Sequence, residues 1–328
     1  MKILVTGGAG YIGSHTVLEL QKEKHQVVVF DNLVYGHKQA VNCPLIKGDL
    51  LDKNKIKSVF KKEKPQAVIH FANYASSGVS MKEPAKYFEN NIMGGLNLLE
   101  AMIKAGTKYL VYSSSCAVYG YPKKLPVKET AEKNPVSVYG ETKLMFERIL
   151  NWYDELFDIK NISLRYFNAA GASLNGKIGE DHRPETHIIP IAMEVALGKR
   201  KEFQLFGDDY STPDGSCIRD YIHVLDLAAA HIKALKYLQK KNESDVFNIG
   251  TGRGYSNKEI LRMIKKVSGV DFPVKIGLRR PGDPAVVYAD NQKAKKVLGW
   301  QPKYSDLKTI IESAWQWYKN HPNGYKGA

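Results

Sequence analysis

Thr6-Gly7-Gly8-Ala9-Gly10-Tyr11-Ile12-Gly13-Ser14 decides the fold of this 328-residue chain. Its glycines recur as Gly7-x-x-Gly10-x-x-Gly13, overlapped by Gly8-x-Gly10-x-x-Gly13. Glycine is needed where a chain turns sharply, where backbone N–H groups approach phosphate, and where a helix packs against a strand. A β-rich run (3–5) precedes the glycines, and a helical pattern (14–24) with Val17, Leu18 and Leu20 follows. A second apolar run (27–30) closes on Asp31, 18 residues beyond Gly13. That context separates a dinucleotide cradle from a plain glycine turn. A helix beginning near Tyr11 faces its N-terminus toward a pyrophosphate. A carboxylate at Asp31 accepts bonds from an adenosine ribose and repels a 2′-phosphate. No arginine stands beside it, so the cofactor expected is NAD rather than NADP. Asp49-Leu50, after a third strand pattern, is placed to reach the adenine; Asp49 is equally suited to cap the next helix.

Working outward, strand and helix patterns alternate through the first half. Strands are read at 45–46, 67–71, 109–112 and 162–166, and helices at 54–62, 91–105 and 141–157. Continuous apolar strands alternating with helices predict an α/β fold, a Rossmann-type doubly wound parallel sheet covered on both faces. After Asn168 the character changes. A Gly/Asn-rich loop (171–183), a helix (188–197) and a strand (203–206) precede a helix (224–238) and strand (246–249) that could rejoin the sheet. The remainder reads as a short helical region punctuated by Pro273, Pro281, Pro284 and Pro302. The expected organisation is an NAD-binding domain over 1–168, with 219–250 partly returning to it. A smaller mixed α/β substrate domain would comprise 169–218 and 251–328.

Tyr139-Gly140-Glu141-Thr142-Lys143 carries the chemistry. Tyr139 and Lys143 are four apart and share one face of a helix. A free phenol, with pKa about 10, is a poor base at neutral pH. A nearby ammonium and a positive nicotinamide ring would favour the phenolate. Such a group removes the proton from an alcohol as its hydride leaves. Ser113-Ser114-Ser115 closes the 109–112 strand, at the carboxyl edge where open α/β sheets bind ligands. One serine hydroxyl can bond the reacting oxygen; at least one of the three is only a strand-end polar residue. The bland alternative is a packing tyrosine and a surface lysine.

Composition excludes other classes. Net charge is +14, but the lysines (among them Lys53, Lys55, Lys57, Lys61, Lys62 and Lys64) recur as on solvated helix faces. No arginine-rich arm with interleaved aromatics is present, so no nucleic-acid partner is expected. A basic surface favours an anionic substrate such as a nucleotide sugar. No apolar run approaches the roughly 20 residues of a membrane span. No signal peptide is read at the start, and a cytoplasmic protein is expected. Cys43, Cys116 and Cys217 form no C-x-x-C, so neither a disulfide framework nor a metal site is expected.

With those residues placed, the chain resembles the UDP-glucose 4-epimerase family of extended short-chain dehydrogenases/reductases over nearly its whole length. The resemblance rests on TGGAGYIGSH (6–15), DNL (31–33), GDL (48–50), HFA (70–72), NN (90–91), SSS-x-x-VYG (113–120), YGETK (139–143), RYFN-x-x-G (165–171), GED (179–181), FGDDY-x-T-x-DG-x-x-RDYIHV-x-DL (206–227), RRPGD (279–283) and LGW (298–300). Segment 206–227 is the most specific, because many reductases share the N-terminal half. The resemblance implies reversible epimerisation of UDP-glucose and UDP-galactose at C4, through a 4-keto sugar, on tightly held NAD. It implies that Tyr139 takes the 4-hydroxyl proton, that Ser115 assists at O4, and that Lys143 holds the nicotinamide ribose. It assigns cofactor contacts to Gly7, Gly10, Tyr11, Ile12, Gly13, Asp31, Asn32, Leu33, Asp49, Leu50, Phe71, Ala72, Asn90, Ser113 and Phe167. Besides Ser115 and Tyr139, it assigns UDP-hexose contacts to Asn168, His187, Phe206, Arg219, Arg280, Asp283 and Val287. It also implies a homodimer pairing the helices near 91–105 and 141–157. Arginine suits a diphosphate because its planar fork donates in pairs; the alternative for Arg219 is an ion pair with Asp220.

Three positions depart from the family pattern. Ala75 stands where many members carry a cofactor-reaching lysine, and His187 where others carry asparagine. Val287 stands where stricter members carry a bulky aromatic that walls the hexose pocket. The valine implies room for UDP-N-acetylhexosamines, unless another side chain fills the gap. The acid/base pair of nucleotide-sugar dehydratases is missing, since Ser114-Ser115-Cys116 occupies its place. The other readings are an epimerase on another UDP-sugar such as a uronate, and a non-catalytic NAD-binding protein on the same fold.

Overall fold

The computed structural model describes residues 1–280 and 283–325; Pro281 and Gly282 of the RRPGD motif lie outside the described residues. Seven parallel strands form the main sheet: β1 (Lys2–Thr6), β2 (Gln26–Asp31), β3 (Leu45–Lys47), β4 (Ala67–His70), β5 (Tyr109–Ser113), β6 (Lys160–Tyr166) and β11 (Asp245–Ile249). Their spatial order is β11-β6-β5-β4-β1-β2-β3. The chain runs outward from β1 to β3, then returns to the other side of β1 with β4. That reversal opens a crevice at the carboxyl ends of β1 and β4, where ligands of such sheets bind. Thr6 pairs with both Phe30 and His70 in register, so the glycine loop leaves the sheet at its centre.

Alternation along each strand builds two cores. Ile3, Val5, Val27 and Val29 face α1 (Tyr11–Lys22) and α8 (Val224–Lys241). Leu4, Val28 and Phe30 face α2 (Lys53–Glu63), α5 (Gly94–Ala105) and α6 (Val138–Phe157). Burial of continuous apolar strands on both faces is what parallel pairing requires. Helix α2 is capped by Asp52, whose side chain accepts from Asn54 N at 3.0 Å and Lys55 N at 2.9 Å. Asp49 is therefore not the cap. Two short helices, α3 (Ser77–Ser80) and α4 (Pro84–Phe88), and a π-turn (Glu89–Met93) lead into α5. The helix expected at 91–105 thus begins with a wider turn. There the buried Asn91 donates to Tyr74 O (3.1 Å) and Thr142 Oγ1 (3.1 Å) and accepts from Tyr74 N (2.9 Å).

A third core lies outside the sheet, among α7 (Ile188–Ala196), α9 (Asn257–Ser268) and α11 (Leu307–Asn320). Small sheets border it: β7 (Asn168–Ala170) with β10 (Tyr221–His223), β8 (Phe203–Phe206) with β13 (Val274–Gly277), and β9 (Ile218–Arg219) with β12 (Tyr255–Ser256) and β14 (Val286–Val287). α10 (Gln292–Leu298) returns to the main core through Ala294 and Leu298. The region beyond 251 is therefore not merely a short helical stretch. α9 opens with a capping box between Ser256 and Glu259, and Asp306 caps α11 through Thr309 N at 2.9 Å. Both signals stood in the sequence.

Candidate active site

The crevice at the carboxyl ends of the strands opens into a cavity of about 600 Å³, within the usual range for a ligand site. Among the expected cofactor residues it is lined by Gly7, Gly10, Tyr11, Ile12, Gly13, Asp31, Asn32, Asp49, Leu50, Phe71, Ala72, Asn90, Ser113 and Phe167. Ser115, Tyr139 and Lys143 line the same cavity, as do Asn168, His187, Arg219, Arg280 and Asp283. Three expected contacts are not among its lining. Leu33 packs on the main core, and only its amide matters here, donating to Asp31 Oδ1 at 2.8 Å. Phe206 lies beneath Arg280, whose guanidinium sits 4.1 Å from the ring centroid. Val287 is buried with Tyr119, Val127, Leu144 and Phe167, because its short strand pairs with β9 and turns the side chain into that cluster. Val287 thus stands behind Phe167, which itself lines the cavity.

The glycine loop fits a dinucleotide. Gly7 has φ +70°, and a Cβ there would come within 2.6 Å of Ala72 N. A Cβ on Gly13 would lie 2.3 Å from Gly7 O. Helix α1 starts at Gly10 without a side-chain cap, leaving first-turn amides for a ligand. Asp31 is held by Ala9 N (2.9 Å) and Leu33 N (2.8 Å). Burial raises its pKa, and those two amides pull it back. Asp49 accepts from Asn32 Nδ2 at 2.9 Å and from Leu51 N at 2.8 Å.

Helix α6 carries both Tyr139 and Lys143. Ser137 caps it through Gly140 N at 3.1 Å. A Cβ on Gly140 would lie 2.6 Å from Ala117 O, so the glycine lets α6 approach the turn that follows Ser115. Tyr139, 7 % exposed, is hydrogen-bonded to the Ser115 hydroxyl. Lys143, 2 % exposed, donates to Ser113 O at 2.7 Å and Asn73 Oδ1 at 2.8 Å. Its ammonium nitrogen lies 5.7 Å from the Tyr139 ring centroid. Ser114 instead donates to Glu147 at 2.5 Å and is the structural member of the three serines. Burial dominates both catalytic candidates: it pushes the Tyr139 phenol well above its usual value and brings Lys143 down to about 7. A dry pocket disfavours phenolate and ammonium alike, so the lowering of Tyr139 expected from Lys143 together with a positive nicotinamide ring has this burial to overcome.

Arg219 pairs with Asp283, not with Asp220. Asp220 instead accepts from Thr251 N (2.8 Å), Gly252 N (3.2 Å) and Ala289 N (3.1 Å), fixing the turn after β11. Asn168 donates to Asp220 O at 3.1 Å. His187 Nδ1 lies 2.9 Å from Glu180 and 3.1 Å from Glu185. Burial opposes charge on Glu180, yet His187 and His182 hold its carboxyl down to about 2.

The sequence model of the NAD dependent epimerase/dehydratase family matches residues 3–250. The chain belongs to that family. Within the NAD-dependent epimerase/dehydratases, it is 52 % identical to the UDP-glucose 4-epimerase of Lactobacillus helveticus, over 99 % of each chain. A crystal structure of a UDP-glucose 4-epimerase superposes with TM-score 0.97 at 49 % identity, covering 99 % of this chain and 100 % of that one. The Bifidobacterium longum UDP-glucose 4-epimerase, solved with NAD⁺ and UDP, superposes with TM-score 0.95 at 37 % identity, covering 99 % and 100 %. Two features of this epimerase/dehydratase chain escaped the reading of its sequence. Asn73, which fixes the Lys143 ammonium, stood unremarked two residues before Ala75. The Glu-x-His-x-x-Glu-x-His spacing at 180–187 was a legible signal, though only the GED motif (179–181) and His187 were singled out within it.

Proposed function

We propose that the chain interconverts UDP-glucose and UDP-galactose at C4 on retained NAD. The carrying observation is the hydrogen-bonded Tyr139–Ser115 pair, with Lys143 fixed beside it, in the same cavity as the uncapped start of α1. Bound in that cradle, oxidised NAD supplies the hydride acceptor, and its positive ring the charge that favours a phenolate. Tyr139 would take the proton from the 4-hydroxyl as C4 is oxidised and give it back when C4 is reduced. Ser115 holds O4 through its hydroxyl, and Lys143, anchored by two acceptors, holds the ribose. Arg219, Arg280 and Asn168 grip the diphosphate, which leaves the hexose free to present either face.

The same reading treats 1–168 with part of 219–250 as the NAD-binding unit, and 169–218 with 251–328 as the UDP-sugar unit. It also includes a homodimer through α5 and α6, supported by exposed apolar groups near and on those helices: Met93, Trp152, Leu156 and Phe157. Among the described residues no helix is long and apolar enough to cross a membrane.

The test is turnover of UDP-galactose by purified protein with no NAD added. UDP-glucose should form. No product, even with NAD supplied, would refute the reading. Arg219→Met should raise the KM for UDP-galactose by about 10–100-fold, the worth of one charge-assisted contact, while kcat falls less. An unchanged KM would remove Arg219 from the diphosphate site.

A further inference from the structure

Glu180, His182, Glu185 and His187 stand at alternating and three-residue spacings on one loop, and each turns a ligand atom inward. All four atoms lie within 4.8 Å of one another. The four His–Glu separations are 2.9 Å (His187 Nδ1 to Glu180), 3.1 Å (His187 Nδ1 to Glu185), 3.1 Å (His182 Nδ1 to Glu180) and 3.8 Å (His182 Nδ1 to Glu185). Zinc bonds nitrogen and carboxylate oxygen at roughly 2.0–2.2 Å, so its tetrahedral neighbours stand about 3.3–3.6 Å apart. The four His–Glu separations bracket that spacing, and all four ligand atoms fit within 4.8 Å.

A second observation points the same way. His182 Nδ1 is buried between two carboxylates, a Glu180 oxygen at 3.1 Å and a Glu185 oxygen at 3.8 Å. The glutamate side chains are only 7 % and 4 % exposed, and two buried carboxylates call for two positive charges.

The frame behind these groups is fixed. Glu180 O accepts from Trp317 Nε1 (3.1 Å) and Tyr318 OH (3.0 Å), while Glu185 accepts from Thr186 N (2.6 Å) and His187 N (2.7 Å). The Tyr11 ring meets His182 edge-on at 6.3 Å. Such support is typical of the groups around metal ligands.

We propose that Glu180, His182, Glu185 and His187 bind one divalent zinc ion. Two imidazoles and two carboxylates suit zinc's borderline preference, whereas magnesium and calcium take six or more oxygens. Four protein ligands close the shell, so the ion does no chemistry on the sugar. It staples 180–187 to itself and so sets the wall of the cavity from which α7 departs.

The test uses the full chain as purified, treated with a chelator and titrated with zinc chloride alone. One ion per chain should bind. Cobalt(II) in its place should give the intense visible absorption of four-coordinate cobalt. His182→Gln should weaken zinc by more than the roughly 10–100-fold that loss of an outer-shell partner costs. Glu185→Gln should do the same, and stands in if the first variant fails to fold. Three results would overturn the proposal: no stoichiometric zinc, a weak six-coordinate cobalt spectrum, or equal affinity in wild type and the folded variants.

Discussion

Tyr139→Phe should lower kcat by about 100- to 10,000-fold, the range assigned to a positioned proton-transfer group. That corresponds to about 3–5 kcal/mol of barrier. The substitution removes only the hydroxyl. Its ring stays in place, so NAD retention and the KM for UDP-galactose should change little. The loss falls on kcat because the phenol oxygen is the atom bonded to Ser115 at the carboxyl edge of β5. Ser115 cannot substitute as base, since an alcohol ionises far less readily than a phenol. Steady-state kinetics with a count of bound NAD checks this. A kcat within tenfold of wild type would mean that another group moves the proton.

The second large effect concerns stability. Glu147 and Arg165 form a buried pair, 6 % and 3 % exposed. Arg165 Nε donates to Glu147 Oε1 at 2.9 Å and Nη2 to Oε2 at 2.5 Å, while Nη1 reaches Tyr119 OH at 2.8 Å. Ser114 donates to the same carboxylate at 2.5 Å. Glu147→Ala should cost about 3–5 kcal/mol, because it leaves a guanidinium buried without its counter-charge. Glu147→Gln keeps an acceptor for Ser114 and should cost less. Urea midpoints of the three proteins decide it. A loss under about 1 kcal/mol for the alanine variant would place the pair among the weak surface bridges. The pair matters to the site because Ser114 sits directly before Ser115, and Arg165 lies on β6 two residues before Phe167.

Much of the site could be read from spacing alone. Gly7, Gly10 and Gly13 act within one turn, and Tyr139 and Lys143 within one helix, so their geometry is local and the sequence carries it. The doubly wound sheet was legible for the same reason, through alternating apolar runs. What was not legible depends on pairings distant in sequence. Arg219 chose Asp283 over its neighbour Asp220, because β9 and β14 lie side by side. Asn73 reaches Lys143 across 70 residues. Val287 was expected at the hexose, yet strand pairing turns it into a buried cluster. Asp49 and Asp52 both stand at plausible capping positions, and only the helix start at Lys53 separates them. The burial that raises the Tyr139 phenol was not legible either: partners can be guessed from sequence, but dehydration cannot.

The order in which the main sheet is completed bears on how the chain is made. β11 supplies the outer strand beside β6, yet it ends roughly 80 residues later. A ribosome adding about 5–20 residues per second takes about 4–16 s over that interval. During it β6 is an open edge, a row of unpaired amides and carbonyls on a strand carrying Ile162 and Leu164. Two nascent chains at that stage present each other with the same sticky border. Crowded polysomes and slow synthesis therefore work against this chain, and faster translation or a bound holdase works for it, whatever the strength of the finished sheet.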